Sequence, residues 1–278
     1  MKKRNLVNRL ELQARTVLIT GSCGYGTGAS TALRLGREGA NIVLNYGTVR
    51  RGPEVREQAE KIAAAVEELG GRAIIQEADT RDEEQVKGMV RAAEKEFGPI
   101  DILVNNAGGE WHGCDWSEVD VATWRSTLAA EIDGVMLTQK YVLPSMRSRK
   151  WGRIINMGMQ GTSQARGAPA PAYCLGKAAR AWITEVIADP HWRTGITINC
   201  IELGDTAYLG IEDTLRLAQG EDPETTVTAL APITLEKRWT SAWHDHPAPA
   251  CFDIAEIVAF LCSNAGRFIT GSLIRLPN

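Results

Sequence analysis

Tyr173 and Lys177 stand four residues apart in the run Tyr173-Cys174-Leu175-Gly176-Lys177. On a helix that spacing puts both side chains on one face. A free phenol has a pKa near ~10, too high for efficient proton exchange at neutral pH. A neighbouring ammonium stabilises the phenolate, so Lys177 is expected to lower the pKa of Tyr173. The chemistry implied is proton transfer to or from a substrate oxygen. The plain alternative is a tyrosine that only packs.

A second arrangement lies near the start of the chain, Thr20-Gly21-Ser22-Cys23-Gly24-Tyr25-Gly26-Thr27-Gly28-Ala29. Glycines let backbone N–H groups approach an anion without interference from Cβ, and a helix N-terminus adds a favourable dipole for pyrophosphate. Gly24-x-Gly26-x-x-Ala29 fits the dinucleotide fingerprint. Its place between a first strand and a first helix gives the match weight. No Lys-Ser/Thr follows, so a nucleotide-triphosphate loop is excluded. A tight turn without ligand is the other reading.

The elements that must position these groups alternate along the chain. Strands are expected at Thr16–Thr20, Asn41–Asn45, Arg72–Gln76, Ile100–Val104, Arg153–Met157, Ile196–Ile201 and Ser272–Leu276. Helices are expected at Ala29–Glu38, Val55–Leu69 (stopped by Gly70-Gly71), Glu83–Phe97, most of Val121–Arg149, Ala172–Ala188 and Asp253–Cys262. Apolar strands without alternation, separated by helices, predict a parallel sheet covered on both faces. The fold class is α/β, a single-domain Rossmann-type doubly wound sheet. Residues 1–10 read as a polar tail and 11–278 as the catalytic domain. The stretch 204–250 reads as a long substrate-side loop or lid with a helix at Ile211–Gln219.

With these residues in place, the chain resembles the short-chain dehydrogenase/reductase family over roughly Leu10 to Leu276. Tyr173 and Lys177 match its Tyr-x-x-x-Lys. Gly21, Gly26 and Gly28 resemble its glycine motif, with one residue inserted after Gly21. Asn105-Asn106-Ala107-Gly108 resembles the segment that lies against the cofactor, and Asp79-Thr80 the position that contacts the adenine. Asp253-Ile254-Ala255-Glu256 and Phe268-Ile269-Thr270-Gly271 resemble the closing helix and turn. The resemblance implies that Lys177 also holds the nicotinamide ribose. Together the residue reading and the resemblance give a candidate cofactor site of Gly21, Ser22, Cys23, Gly26, Thr27, Gly28, Tyr46, Arg50, Asp79, Thr80, Asn106, Ala107, Gly108, Tyr173 and Lys177, and the resemblance implies a homodimer or homotetramer.

The chain departs from the family at several points. Met159 falls where a serine is expected, and a thioether cannot donate a hydrogen bond. Ser163 is the best substitute, with Gln160 or Thr162 as others. Glu131 falls where an asparagine is expected. It could pair with Lys177 and partly cancel its effect on Tyr173, act as an acid/base itself, or sit on a helix surface after a register shift. Leu203-Gly204 replaces Pro-Gly, and the chain ends Arg275-Leu276-Pro277-Asn278. The chain is therefore expected to be an atypical member lacking the usual catalytic serine and asparagine. After the second strand comes Asn45-Tyr46-Gly47-Thr48, without an acid for the ribose hydroxyls, and Arg50 and Arg51 could pair with a 2′-phosphate. NADP is therefore expected, with NAD possible as cofactor.

Trp111, His112, Cys114 and Trp116 follow the fourth strand, and Trp239, Trp243, His244 and His246 lie in the late loop. Both groups should reach the carboxyl edge of the sheet, where ligands bind. Met159, Gln160, Trp111 and Trp243 are the candidate substrate contacts, suited to a small aromatic or apolar molecule.

Composition excludes other classes. The 278 residues are 44% hydrophobic and 23% charged, with 31 basic against 34 acidic side chains. That is too apolar for disorder and not basic enough for nucleic acid. No apolar run nears the ~20 residues of a membrane span, and no apolar signal core follows the basic Met1–Asn5. Six scattered cysteines suit a reduced, cytoplasmic setting. No metal is expected, although His244-x-His246 could chelate. Three readings remain: an NAD(P)-dependent oxidoreductase on a carbonyl/alcohol pair; an elimination, dehalogenation or isomerisation enzyme using Tyr173 and Glu131; and a non-catalytic dinucleotide-binding protein.

Overall fold

A computed structural model describes residues 10–24, 26–47, 54–160, 170–191, 193–204, 206, 215–216, 219 and 251–276. Seven strands form one parallel sheet: β1 (Thr16–Ile19), β2 (Asn41–Tyr46), β3 (Arg72–Glu77), β4 (Ile102–Asn105), β5 (Gly152–Met159), β6 (Ile196–Leu203) and β7 (Leu273–Arg275). Their order is β3-β2-β1-β4-β5-β6-β7. Among the described residues the helices include α1 (Thr27–Arg37), α2 (Glu54–Glu68), α3 (Glu83–Phe97), α4 (Val121–Leu128), α5 (Gly134–Arg149), α6 (Pro171–Ala188) and α7 (Cys251–Cys262).

Burial explains the missing alternation in the strands. Val17 and Ile19 of β1 join one apolar cluster with Leu33, Ile62 and Val258. Leu18 points to the other face, into a cluster with Val90, Val142 and Ile198. Both faces of the sheet are thus covered, and this is the doubly wound architecture expected. Neighbouring strand order reverses between β1 and β4, which pair in parallel from Val17↔Ile102 to Ile19↔Val104. A crevice opens there, outside the carboxyl ends of the strands.

Four boundaries differ from expectation in ways that matter. α1 begins at Thr27, two residues early, so its first turn faces the crevice. β5 and β6 run on to Met159 and Leu203, and Gln160 N still donates to Leu203 O at 2.8 Å. The long helix expected over Val121–Arg149 is broken by a π-helical turn, Ala129–Asp133, which carries Glu131. The tail 1–9, most of 204–250 and residues 161–169 lie outside the described residues. Leu215, Arg216 and Gln219, inside the helix expected in the late loop, are helical. Among the described residues no helix is long and apolar enough to cross a membrane.

Candidate active site

The crevice is a cleft of about 450 Å³. One wall is the glycine-rich turn, with Gly21, Cys23, Gly26, Thr27 and Gly28. This turn is pressed against the end of β4. Asn106 Nδ2 donates to Thr20 O at 3.0 Å and Gly21 O at 2.8 Å, and Thr20 Oγ1 accepts from the N–H groups of Asn106 and Ala107. A Cβ at Gly28 would stand 2.6 Å from Asn106 Nδ2 and 2.7 Å from Gly21 O, so only glycine fits. Gly26 heads α1 at φ 115° and no side chain caps the helix. Among the described residues no side chain takes up its first-turn N–H groups, and this cradle fits a dinucleotide pyrophosphate.

Of the other expected cofactor residues, Tyr46, Asp79, Thr80, Asn106, Ala107, Gly108, Tyr173 and Lys177 all line this cleft. Ser22 does not. Its hydroxyl donates to Ile19 O at 3.0 Å and accepts from Asn45 N at 3.1 Å, so it is spent tying β1 to β2. Asp79 is gripped by Arg81, whose Nε reaches Oδ1 at 2.9 Å and Oδ2 at 3.0 Å. Tyr46 donates its hydroxyl to Glu77 Oε2 at 3.1 Å. Arg50 and Arg51 lie outside the described residues.

Tyr173 and Lys177 rise from the first turns of α6 onto one side of the cleft. The Lys177 ammonium lies 5.1 Å from the centre of the Tyr173 ring. Expectation and structure part on the tyrosine. Its pKa is not lowered but pushed up to about 12, first by burial and then by the Glu131 charge, with Arg180 acting the other way. Lys177 is brought down to about 8, mainly by burial and by Arg180, while Glu131 raises it. The edge of Trp111 meets Tyr173, with ring centres 5.4 Å apart.

Glu131 is fully buried, so the surface placement is overturned. The π-turn directs its carboxylate inward, where Oε1 accepts from Gly109 N at 2.7 Å. Oε2 lies 2.7 Å from Arg180 Nε and 3.2 Å from Lys177 Nζ. Pairing with Lys177, one of the expected arrangements, is thus present, but Glu131 lies on the wall of neither cavity described here.

Met157 and Leu203 line the cleft, whereas Met159 and Gln160 line neither cavity. In the continued β5–β6 ladder Met159 pairs with Leu203. Ser163, Thr162, Trp239, Trp243, His244 and His246 lie outside the described residues. A second cavity of about 210 Å³ adjoins Tyr173 and is lined by Glu110, His112, Cys114, Asp120 and Trp124 among others. His112 Nε2 contacts Glu110 Oε2 at 2.8 Å.

Arg81 and Arg180 escaped the sequence reading. Arg180 follows Lys177 by three residues, a same-face spacing that could have flagged it. Arg81 follows Asp79 by two, with no periodic signal.

The profile of the short chain dehydrogenase family matches residues 15–215. The cis-4-hydroxycyclohexanecarboxylate dehydrogenase of Sinomonas cyclohexanicum is 30% identical over 264 residues, covering 94% of each chain. A short chain dehydrogenase from Burkholderia cenocepacia, solved in complex with NADP, superposes with a TM-score of 0.74 at 27% identity, covering 97% of this chain and 98% of that one. A xylitol dehydrogenase with bound NAD+ superposes with a TM-score of 0.75 at 26% identity, over 96% of this chain and 98% of its own.

Proposed function

Since this chain belongs to the short chain dehydrogenase family, we propose that it is an NAD(P)-dependent oxidoreductase acting on a carbonyl/alcohol pair of a small molecule. The observation that carries this is the shared cleft: Tyr173 and Lys177 line the same crevice as the uncapped, glycine-cradled start of α1. Gly21, Cys23, Gly26, Thr27 and Gly28 would hold the pyrophosphate, Asp79 and Thr80 the adenine end, and Asn106–Gly108 with Lys177 the nicotinamide end. When bound, the dinucleotide supplies or accepts the hydride.

Tyr173 gives a proton to the carbonyl oxygen during reduction and takes it back during oxidation. Lys177, while charged, stabilises the phenolate left behind. A hydrogen-bond donor to the substrate oxygen, which Met159 cannot supply, falls to Ser163. Trp111, against the Tyr173 ring, shapes the substrate side. The cofactor is NADP in preference to NAD, because Asn45-Tyr46-Gly47 offers no acid to the ribose and Arg50 and Arg51 follow. Relatives of this fold carry either one. The protein works as a homo-oligomer.

The test is a panel of ketones, aldehydes and alcohols with NADPH and NADH, followed by reduced-nicotinamide absorbance. Turnover with at least one pair is expected, faster with NADPH. Tyr173→Phe should lower kcat by about 10²–10⁴-fold while leaving dinucleotide affinity nearly intact. Tight dinucleotide binding with no turnover on any panel member would defeat the reading.

A further inference from the structure

Arg180 has no access to solvent, yet its guanidinium is fully engaged. Nε donates to Glu131 O at 3.1 Å, Nη1 to Asn105 O and Met157 O at 3.1 Å each, and Nη2 to Ala130 O at 3.4 Å and to Ala107 O. Those carbonyls belong to the ends of β4 and β5, the loop after β4 and the π-turn. The structure also makes room for the partner carboxylate. A Cβ at Gly108 would stand 2.4 Å from Glu131 Oε1, and one at Gly176 would stand 2.4 Å from Glu131 Cβ. Two cations therefore share one buried anion, directly behind Tyr173.

We propose that Arg180 is a positioning residue that holds Glu131 in place and offsets its charge, so that Tyr173 faces a cluster of net charge +1 while Lys177 is protonated. Without Arg180, Glu131 and Lys177 would form a neutral pair and the phenolate of Tyr173 would lose its counter-charge. The consequence for catalysis rests on the acid/base reading of Tyr173 and Lys177; the electrostatics do not. The charged and titratable groups facing Lys177 are Glu131 from the π-turn, Tyr173 and Arg180 from its own helix, and Cys200 from β6. Cys200 is pushed up to about 12 and stays neutral through the working range.

The test follows the titration of Lys177 itself, by NMR of protein labelled with carbon-13 lysine, the signal being identified by its loss in Lys177→Met. The wild-type midpoint is expected near about 8. Glu131→Gln removes the anion and should lower the midpoint by about one pH unit or more. Arg180→Met removes a cation and should raise it by a similar amount, and the double variant should return it near the wild-type position. Arg180→Lys keeps the charge and should leave the midpoint near wild type. If Arg180→Met fails to fold, as judged by circular dichroism, Glu131→Gln and Arg180→Lys decide. A midpoint that stays put or rises in Glu131→Gln overturns the proposal, as does one that rises in Arg180→Lys. Shifted midpoints without turnover on any carbonyl would sink the oxidoreductase reading alone; turnover with an unmoved midpoint would sink only the role of Arg180.

Discussion

At Lys177 burial and charge act in opposite directions. Desolvation and Arg180 favour the neutral amine, Glu131 favours the ammonium, and the balance falls near about 8. Tyr173, pushed up to about 12, keeps its proton through the whole working range and, under the oxidoreductase function we propose, would enter reduction as an acid. The phenolate it leaves behind is stabilised only while Lys177 is charged, which holds below the lysine midpoint and fails above it. For carbonyl reduction, kcat/KM should therefore be level below pH about 8 and fall above it, by about tenfold per pH unit for a single ionisation. A pH profile with saturating NADPH checks this, and a basic limb near ~10, the unperturbed lysine value, would assign the loss to another group. The spacing of Tyr173 and Lys177 was legible in the sequence because the helical period fixes which side chains share a face. The sign of the tyrosine shift was not, because it depends on burial and on Glu131, which reaches the site through tertiary packing. Arg180 escaped notice because an arginine on a helix ordinarily reads as a solvated residue.

The π-turn at Ala129–Asp133 is the element that converts a helical glutamate into a site residue. Its extra residue per turn rotates Glu131 toward α6, where Gly176 lets the two backbones close in. Replacing a helix-interior glycine by alanine normally stabilises by up to ~1 kcal/mol. At Gly176 the added Cβ would stand 2.4 Å from Glu131 Cβ, and overpacking of that kind costs about 1–3 kcal/mol. Gly176→Ala should therefore lower the midpoint of thermal unfolding. Gly88→Ala, in α3 with nothing within 4 Å of its new Cβ, should raise it. Equal shifts of the two variants in one calorimetric comparison would remove the packing argument. Apolar runs such as Val17–Ile19 and Ile42–Leu44 revealed the order of strands and helices, since a strand buried on both faces needs no polar partner rows. Sequence pattern did not reveal the π-turn, because one inserted residue hardly disturbs a helical period already mixed with polar side chains. Nor did it show that the Ser22 hydroxyl is held by backbone groups of two neighbouring strands.

Across the whole molecule, α6 works on two sides. Its inner side carries Tyr173, Lys177 and Arg180. Leu175, Trp182 and Val186, spaced seven and four residues apart, form a stripe on the other side and are 48%, 64% and 48% exposed. Met136 of α5 adds another exposed apolar side chain, at 45%. Scattered apolar residues on a surface need no explanation, but a helical stripe centred on a largely exposed tryptophan is the composition of an interface core. A second copy of the chain is the occupant we expect, since a twofold axis would set the stripe against itself. The wild-type protein should then sediment as a dimer or larger assembly at micromolar concentration. Trp182→Glu, at a site too exposed to disturb the core, should shift it to monomer without changing the far-ultraviolet circular dichroism. Because the same helix holds Tyr173 and Lys177, the proposed acid/base pair, the monomer should also show a lower kcat, with the loss reversed at concentrations that restore the dimer. A wild-type chain that stays monomeric across that range would leave the stripe without this role, and the catalytic side of α6 would have to be held by its own inner contacts alone.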